Sequence, residues 1–121
     1  MGQEKTFENK IKEFLKSENC WFVKFFANGY TKKGIPDLLC CVNGFFLAIE
    51  VKAENGKASE MKKWNIDKIR SCGGKAIILR PSQFDDFCEL VKLLNAEKRI
   101  DINYKINAET FRNLYGLNKE M

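Results

Sequence analysis

The stretch PDLLCCVNGFFLAIEVK, Pro36 to Lys52, decides how this chain folds. Asn43-Gly44 at its centre is the strongest short hairpin signal, because both residues tolerate the positive φ of a type I′ turn. On either side lie β-friendly runs, Leu38 to Val42 and Phe45 to Val51. With Asn43 and Gly44 as the two loop residues, Val42 faces Phe45. Counting outward from that pair sets Asp37 directly across from Glu50. Hydrogen-bonded and non-hydrogen-bonded pairs alternate along an antiparallel ladder. Val42/Phe45 is the hydrogen-bonded kind, so Asp37/Glu50 is the closer, non-hydrogen-bonded kind.

Lys52 lies two residues beyond Glu50 and shares its face. The opposite face carries Leu38, Cys40, Val42, Phe45, Leu47, Ile49 and Val51 without a polar interruption, so a one-residue slip would be costly. Like charges directly opposite one another destabilise a hairpin, and something must offset the repulsion between Asp37 and Glu50. A hard divalent cation with oxygen ligands would do so, helped by the Lys52 ammonium. A plain edge salt bridge gives no reason for two acids to meet.

These residues carry a family resemblance. Pro36-Asp37, an apolar hairpin and then Glu50-Val51-Lys52 resemble the PD-(D/E)xK nuclease signature. Gly34-Ile35-Pro36-Asp37-Leu38 followed by Ile49-Glu50-Val51-Lys52 is similar to its VRR-NUC branch. That branch includes small stand-alone proteins, many viral, similar to Holliday-junction resolvases. The resemblance runs from about Thr6 to Arg80. It implies Asp37, Glu50 and Lys52 as catalytic residues. Asp37, Glu50 and the Val51 backbone carbonyl would bind Mg²⁺ or Mn²⁺, with Glu8 as a further ligand and Glu13 its alternative. Lys52 would orient or deprotonate the attacking water, or stabilise the developing charge. Relatives often place a glutamine early in the helix that follows; here Glu60, Met61, Lys62 and Lys63 stand there.

Composition agrees with one soluble domain of 121 residues, 45% hydrophobic and 31% charged. Lys and Arg number 21 against 16 Asp and Glu, a net charge of +5 that favours a polyanionic partner. There is no histidine, which removes His-dependent triads, the usual zinc sites and His-based nucleases. The five cysteines form no CxxC and read as buried free thiols of a reducing cytosol. The first ten residues lack the apolar core of a secretory signal, and no apolar run reaches membrane-spanning length.

In chain order, Lys5 to Ser17 reads as an amphipathic helix with Phe7, Ile11, Phe14 and Leu15 on one stripe. Cys20 to Phe26 is a strand and Asn28 to Gly34 a loop. The loop carries Lys32 and Lys33 as candidate phosphate contacts, and Lys62 and Lys63 are further candidates. Ser59 caps a helix to Cys72, stopped by Gly73-Gly74, with Met61, Trp64, Ile69 and Cys72 as its buried side. Lys75 to Leu79 is a short buried strand. Ser82 with Asp85 suggests a capping box for a helix to Asn95 that buries Phe84, Phe87, Cys88, Val91 and Leu94. Ile100, Ile102, Tyr104 and Ile106 alternate like a strand, and Asn107 caps a short helix to about Tyr115.

The resulting expectation is an α/β, restriction-endonuclease-like core with a mixed sheet flanked by helices. Its order is α-β-β-β-α-β-α with a β-α extension, and both sheet faces are expected to be covered, with Leu39, Cys41, Phe46 and Ala48 buried behind the acids. Residues 1–121 form a single domain, with 5–95 the nuclease core and 96–121 a candidate dimerisation element. The expected activity is metal-dependent DNA endonuclease action on branched, Holliday-junction-like DNA, by a homodimer in the cytoplasm, and the resemblance to viral proteins extends to a virus-encoded protein acting in its host cell. The alternative is a DNA-binding module on the same fold that does not cut.

Overall fold

The structure, a computed structural model, describes residues 2–98 and 107–116. Helix α1 spans Gly2–Ser17, and β1 (Trp21–Lys24), β2 (Leu38–Val42) and β3 (Phe45–Val51) follow it. Helix α2 (Glu60–Ser71) leads to β4 (Lys75–Leu79). A 3₁₀ turn (Pro81–Gln83), α3 (Phe84–Ala96) and α4 (Ala108–Tyr115) complete the described elements. The four strands lie in the order β1-β2-β3-β4. The first three run antiparallel and β4 is parallel to β3, reached by a crossover through α2. This is the expected mixed sheet flanked by helices. The extension's expected strand, with Ile100, Ile102, Tyr104 and Ile106, lies outside the described residues.

The central hairpin has the expected register, with Val42 on Phe45 and Leu38 on Ile49. Asn43 and Gly44 have φ of 51° and 84°, the positive pair a type I′ turn requires. The Asn43 amide also donates to the carbonyls of Leu94 and Glu97, both at 2.9 Å. One side chain thus shapes the turn and caps the end of α3, which fixes the hairpin against the helical layer.

The inward stripe of α1, Phe7, Ile11 and Leu15, packs on Leu38, Cys40, Val42, Leu47, Ile49 and Val51. Phe87, Val91 and Leu94 of α3 close that core. Edge-to-face rings of Phe7, Phe14, Phe84 and Phe87 join α1 to α3. The other sheet face holds a smaller core of Ala48, Ala76 and Ile66, with Leu39, Ile69 and Ile78 beside it. The expected burial of Cys41 and Phe46 is not met: Cys41 is exposed and Phe46 is 44% exposed. Helix α2 covers β3, β4 and Leu39 of β2 but not the far end of the hairpin. The row Trp21–Cys41–Phe46, paired across three strands, is left at the surface.

Helix α2 begins where expected, with the Ser59 hydroxyl accepting from the Lys62 amide. Its buried side differs from the expected one. Met61 and Trp64 are more than half exposed and Cys72 is exposed, whereas Asn65 and Ile66 are buried. The inward stripe is Lys62, Asn65/Ile66 and Ile69, and its polar members have partners: Asn65 donates to Lys33 O at 3.2 Å. Apolar spacing alone therefore pointed to the wrong side. Ser82 is also not a helix cap. It lies inside the 3₁₀ turn and gives its amide and hydroxyl to the two Glu54 oxygens at 2.9 and 2.6 Å. A carboxylate is the stronger acceptor, and this pairing ties the segment after β3 to the start of α3.

Candidate active site

Asp37 precedes β2, and Glu50 and Lys52 lie at and just past the end of β3, so the hairpin register brings all three to one end of the sheet. Asp37 Oδ2 accepts the Val51 amide at 2.8 Å, which orients the carboxylate and leaves Oδ1 toward the site. Glu50 is 1% exposed. Its Oε1 takes a hydrogen bond from Lys62 Nζ at 2.8 Å, and Lys52 Nζ lies 3.4 Å from Oε2. Burial above all, and then the Asp37 charge, push the Glu50 pKa up, against the pull of Lys62 and Lys52.

Glu8 enters from α1, buried beside Phe7. It is held by Lys24 Nζ at 2.7 Å and Lys12 Nζ at 3.0 Å. Burial raises its pKa, yet the two lysines together outweigh burial and the net shift is downward. Lys24 also reaches Asp37 Oδ1 at 3.5 Å, and Lys62 reaches the same oxygen at 3.7 Å. The acids and lysines thus alternate in one chain: Lys12, Glu8, Lys24, Asp37, Lys62, Glu50, Lys52. Glu13 stands apart, exposed and paired with Lys16 at 3.5 Å. No three acid, Cys or His side chains converge into a ready metal cluster among the described residues. Glu8 joins the other two acids through Lys24.

Sequence reasoning missed Lys24 and Lys12. Lys24 left a signal: it is the lone charge in CWFVKFF, on the side of β1 whose partners Cys40 and Leu38 face the main core. Lys12 stands four residues after Glu8, the spacing of a helical ion pair. Of the four candidate phosphate contacts, Lys32, Lys33 and Lys63 are exposed, Lys63 beside Glu60 at 3.5 Å. Lys62 instead turns inward onto the acids.

Gly34 fixes how α2 meets this site. Its φ is +79°, and a Cβ there would collide with Met61 and with the Asn65 amide nitrogen. Gly34→Ala should therefore shift the first turns of α2, with Lys62 in them, and cost about 1–3 kcal/mol of stability. Urea denaturation measures this, and an unchanged midpoint would mean that the loop and helix give way freely.

A mixed sheet between helices, with acids and lysines gathered where its central hairpin ends, is the architecture of the PD-(D/E)xK-type nucleases. Residues 2–120 match the archaeal Holliday junction resolvase family, Hjc, and the chain belongs to that family. It is accordingly a structure-selective, metal-dependent nuclease of four-way DNA junctions with a restriction-endonuclease-like fold. Neither the curated proteins nor the solved structures contain a match.

Proposed function

We propose that this resolvase hydrolyses phosphodiesters of branched DNA with Mg²⁺ or Mn²⁺ held by Asp37 and Glu50. The observation that carries the reading is the pair itself: two acids brought to one end of the sheet by hairpin register, with ammoniums interposed between them. The donor set suits a hard cation, since Glu50 Oε2 is buried without a hydrogen-bond partner. The Val51 carbonyl is the third candidate ligand. Glu8, already bound by two lysines, is the outer member of the set. When bound, the ion neutralises phosphate charge and makes a nearby water a stronger nucleophile.

The chain's own groups do the rest. The Val51 amide holds Asp37 in place, and burial keeps Glu50 from turning to solvent. Lys52, beside Glu50, is placed to steady the charge that builds on the phosphate or to handle the proton of the attacking water. Lys32 and Lys33, exposed on the loop that leads to Asp37, would hold the DNA backbone without reading its sequence. Within the nucleases, Gly34–Leu38 and Ile49–Lys52 support a place near the VRR-NUC branch. Residues 5–95 are the nuclease core of one domain. The free cysteines suit a reducing cytoplasm.

Two coordinated cuts across a symmetric junction need two sites, which favours a homodimer. The nuclease core offers exposed apolar side chains for it, Trp21 at 64% exposure and Phe46 on the sheet and Met61 and Trp64 on α2. The tail offers another in α4, where Phe111 and Tyr115 stack at 4.6 Å and Leu114 is exposed. With the interface on the core, truncation after Lys98, which spares the Asn43–Glu97 bond, leaves a dimer by light scattering. A truncated monomer would move the interface to the tail.

The function is tested by incubating the full chain with four-way, flap and duplex DNA in Mg²⁺, in Mn²⁺ and with EDTA. Junction cleavage that needs the ion is expected. Salt-sensitive junction binding with no product in either ion would favour the non-cleaving alternative.

A further inference from the structure

Lys62 is the side chain whose position the proposed chemistry leaves unexplained. Its ammonium lies 2.8 Å from Glu50 Oε1 and 3.7 Å from Asp37 Oδ1, the two acids assigned to the ion. Lys24 is held chiefly by Glu8, and Lys52 lies on the other oxygen of Glu50. Only Lys62, among the three, spans both proposed ligands. Helix stability does not account for it, because a cation in the first turn opposes the helix macrodipole. Packing does not account for it either: the side chain is about a quarter exposed and its stem is long and flexible.

From this we infer that Lys62 is an internal counter-ion, seated between the metal-binding acids until a divalent ion displaces it. A magnesium-sized ion bonds oxygen at about 2.1 Å, so one shared by these two oxygens would overlap the ammonium and repel it. Lys62 must then turn outward, which its partial exposure permits. Once released it stands at the rim of the site, beside the loop of Lys32 and Lys33 to which Asn65 ties α2. There it is free to take a phosphate oxygen of the bound strand. The metal-free protein thereby avoids a buried acid pair, at the cost of weaker ion binding, and DNA contact through this lysine is coupled to ion entry. The inference rests on the assignment of Asp37 and Glu50 as ligands.

Calorimetric titration of the full chain with Mn²⁺, without DNA, separates the two ideas. Lys62→Gln should bind Mn²⁺ at least tenfold more tightly than the unchanged protein, and Lys68→Gln, at an exposed lysine of the same helix, should not differ from it. Circular dichroism checks the fold, and Lys62→Met serves if the glutamine variant does not fold. Equal or weaker Mn²⁺ binding by the Lys62 variants, beside measurable binding by the unchanged protein, would overturn the counter-ion role and leave the metal site standing. No binding by any of them would overturn both. A second measurement is junction affinity in Ca²⁺ and in EDTA. Lys62→Gln should lose several-fold affinity in Ca²⁺ only; the same loss in EDTA would show a lysine that contacts DNA without waiting for the ion.

Discussion

Asp37→Asn and Glu50→Gln should each abolish junction cleavage, by roughly 10³-fold or more, and leave the protein folded. The size follows from what the acids would hold. A bound ion contributes several kcal/mol to the transition state, and each 1.36 kcal/mol is about tenfold in rate. Single-turnover cleavage of a four-way junction at saturating protein measures the effect without interference from binding. Rates within a few-fold of the unchanged protein would remove Asp37 or Glu50 from the site.

The same substitutions carry a stability signature that a merely structural acid would not give. Glu50 is buried beside a second acid, and its pKa lies above the ordinary carboxylate value, first because of burial. An acid whose folded pKa is raised costs stability above that pKa, and the cost disappears as pH falls below the unfolded value. Glu50→Gln removes the charge and should give a metal-free Tm at neutral pH no lower than that of the unchanged protein. On acidification the advantage should shrink, because Glu50 itself then becomes neutral. Lys62 moderates the gain, since it loses its 2.8 Å partner, but its partial exposure lets the ammonium reach water. A large drop in Tm would mean that the Lys62–Glu50 pair is a net stabiliser and that removing one partner leaves the other stranded.

The acids were legible because their placement is a matter of counting. A two-residue turn fixes register, and register fixes which side chains face each other, so Asp37 and Glu50 follow from Asn43-Gly44 alone. The inward stripe of α1 was legible for the same reason, since Phe7, Ile11 and Leu15 keep helical spacing. Helix α2 was not. Its inward side carries Lys62 and Asn65, which earn burial through specific partners 12 and 32 residues upstream. Its apolar residues Met61 and Trp64 face outward. Periodicity reads burial from hydrophobicity and fails where polar groups are buried for a purpose. Ser82 misled for a similar reason: its long-range partner Glu54 overrode the local capping pattern. The lysines that alternate with the acids come from α1, β1, α2 and the residue just past β3, and nothing local joins Lys24 in β1 to Glu8 in α1.

Lys52→Ala should lower cleavage by about 10²- to 10³-fold, the range seen when one charge-stabilising donor is removed from an active site, and should leave ion binding intact. A lysine has no acceptor to offer a cation. Its ammonium stands 3.4 Å from Glu50 Oε2, so removing it takes a positive charge away from the place where the ion would sit. Mn²⁺ affinity of the alanine variant should therefore equal or exceed that of the unchanged protein. Loss of ion binding with the fold intact would show that Lys52 organises the acids and has no separate part in the reaction. Lys52→Arg then divides the two roles that remain. Arginine keeps the charge, but its pKa is too high for it to accept a proton at neutral pH. If the arginine variant retains most of its activity, Lys52 works by electrostatic stabilisation. If it is as slow as the alanine variant while still binding Mn²⁺, Lys52 works through proton transfer or through a geometry only the compact ammonium can adopt. Rates measured across pH separate those two, because only a proton-transfer role makes the basic limb of the profile depend on this residue.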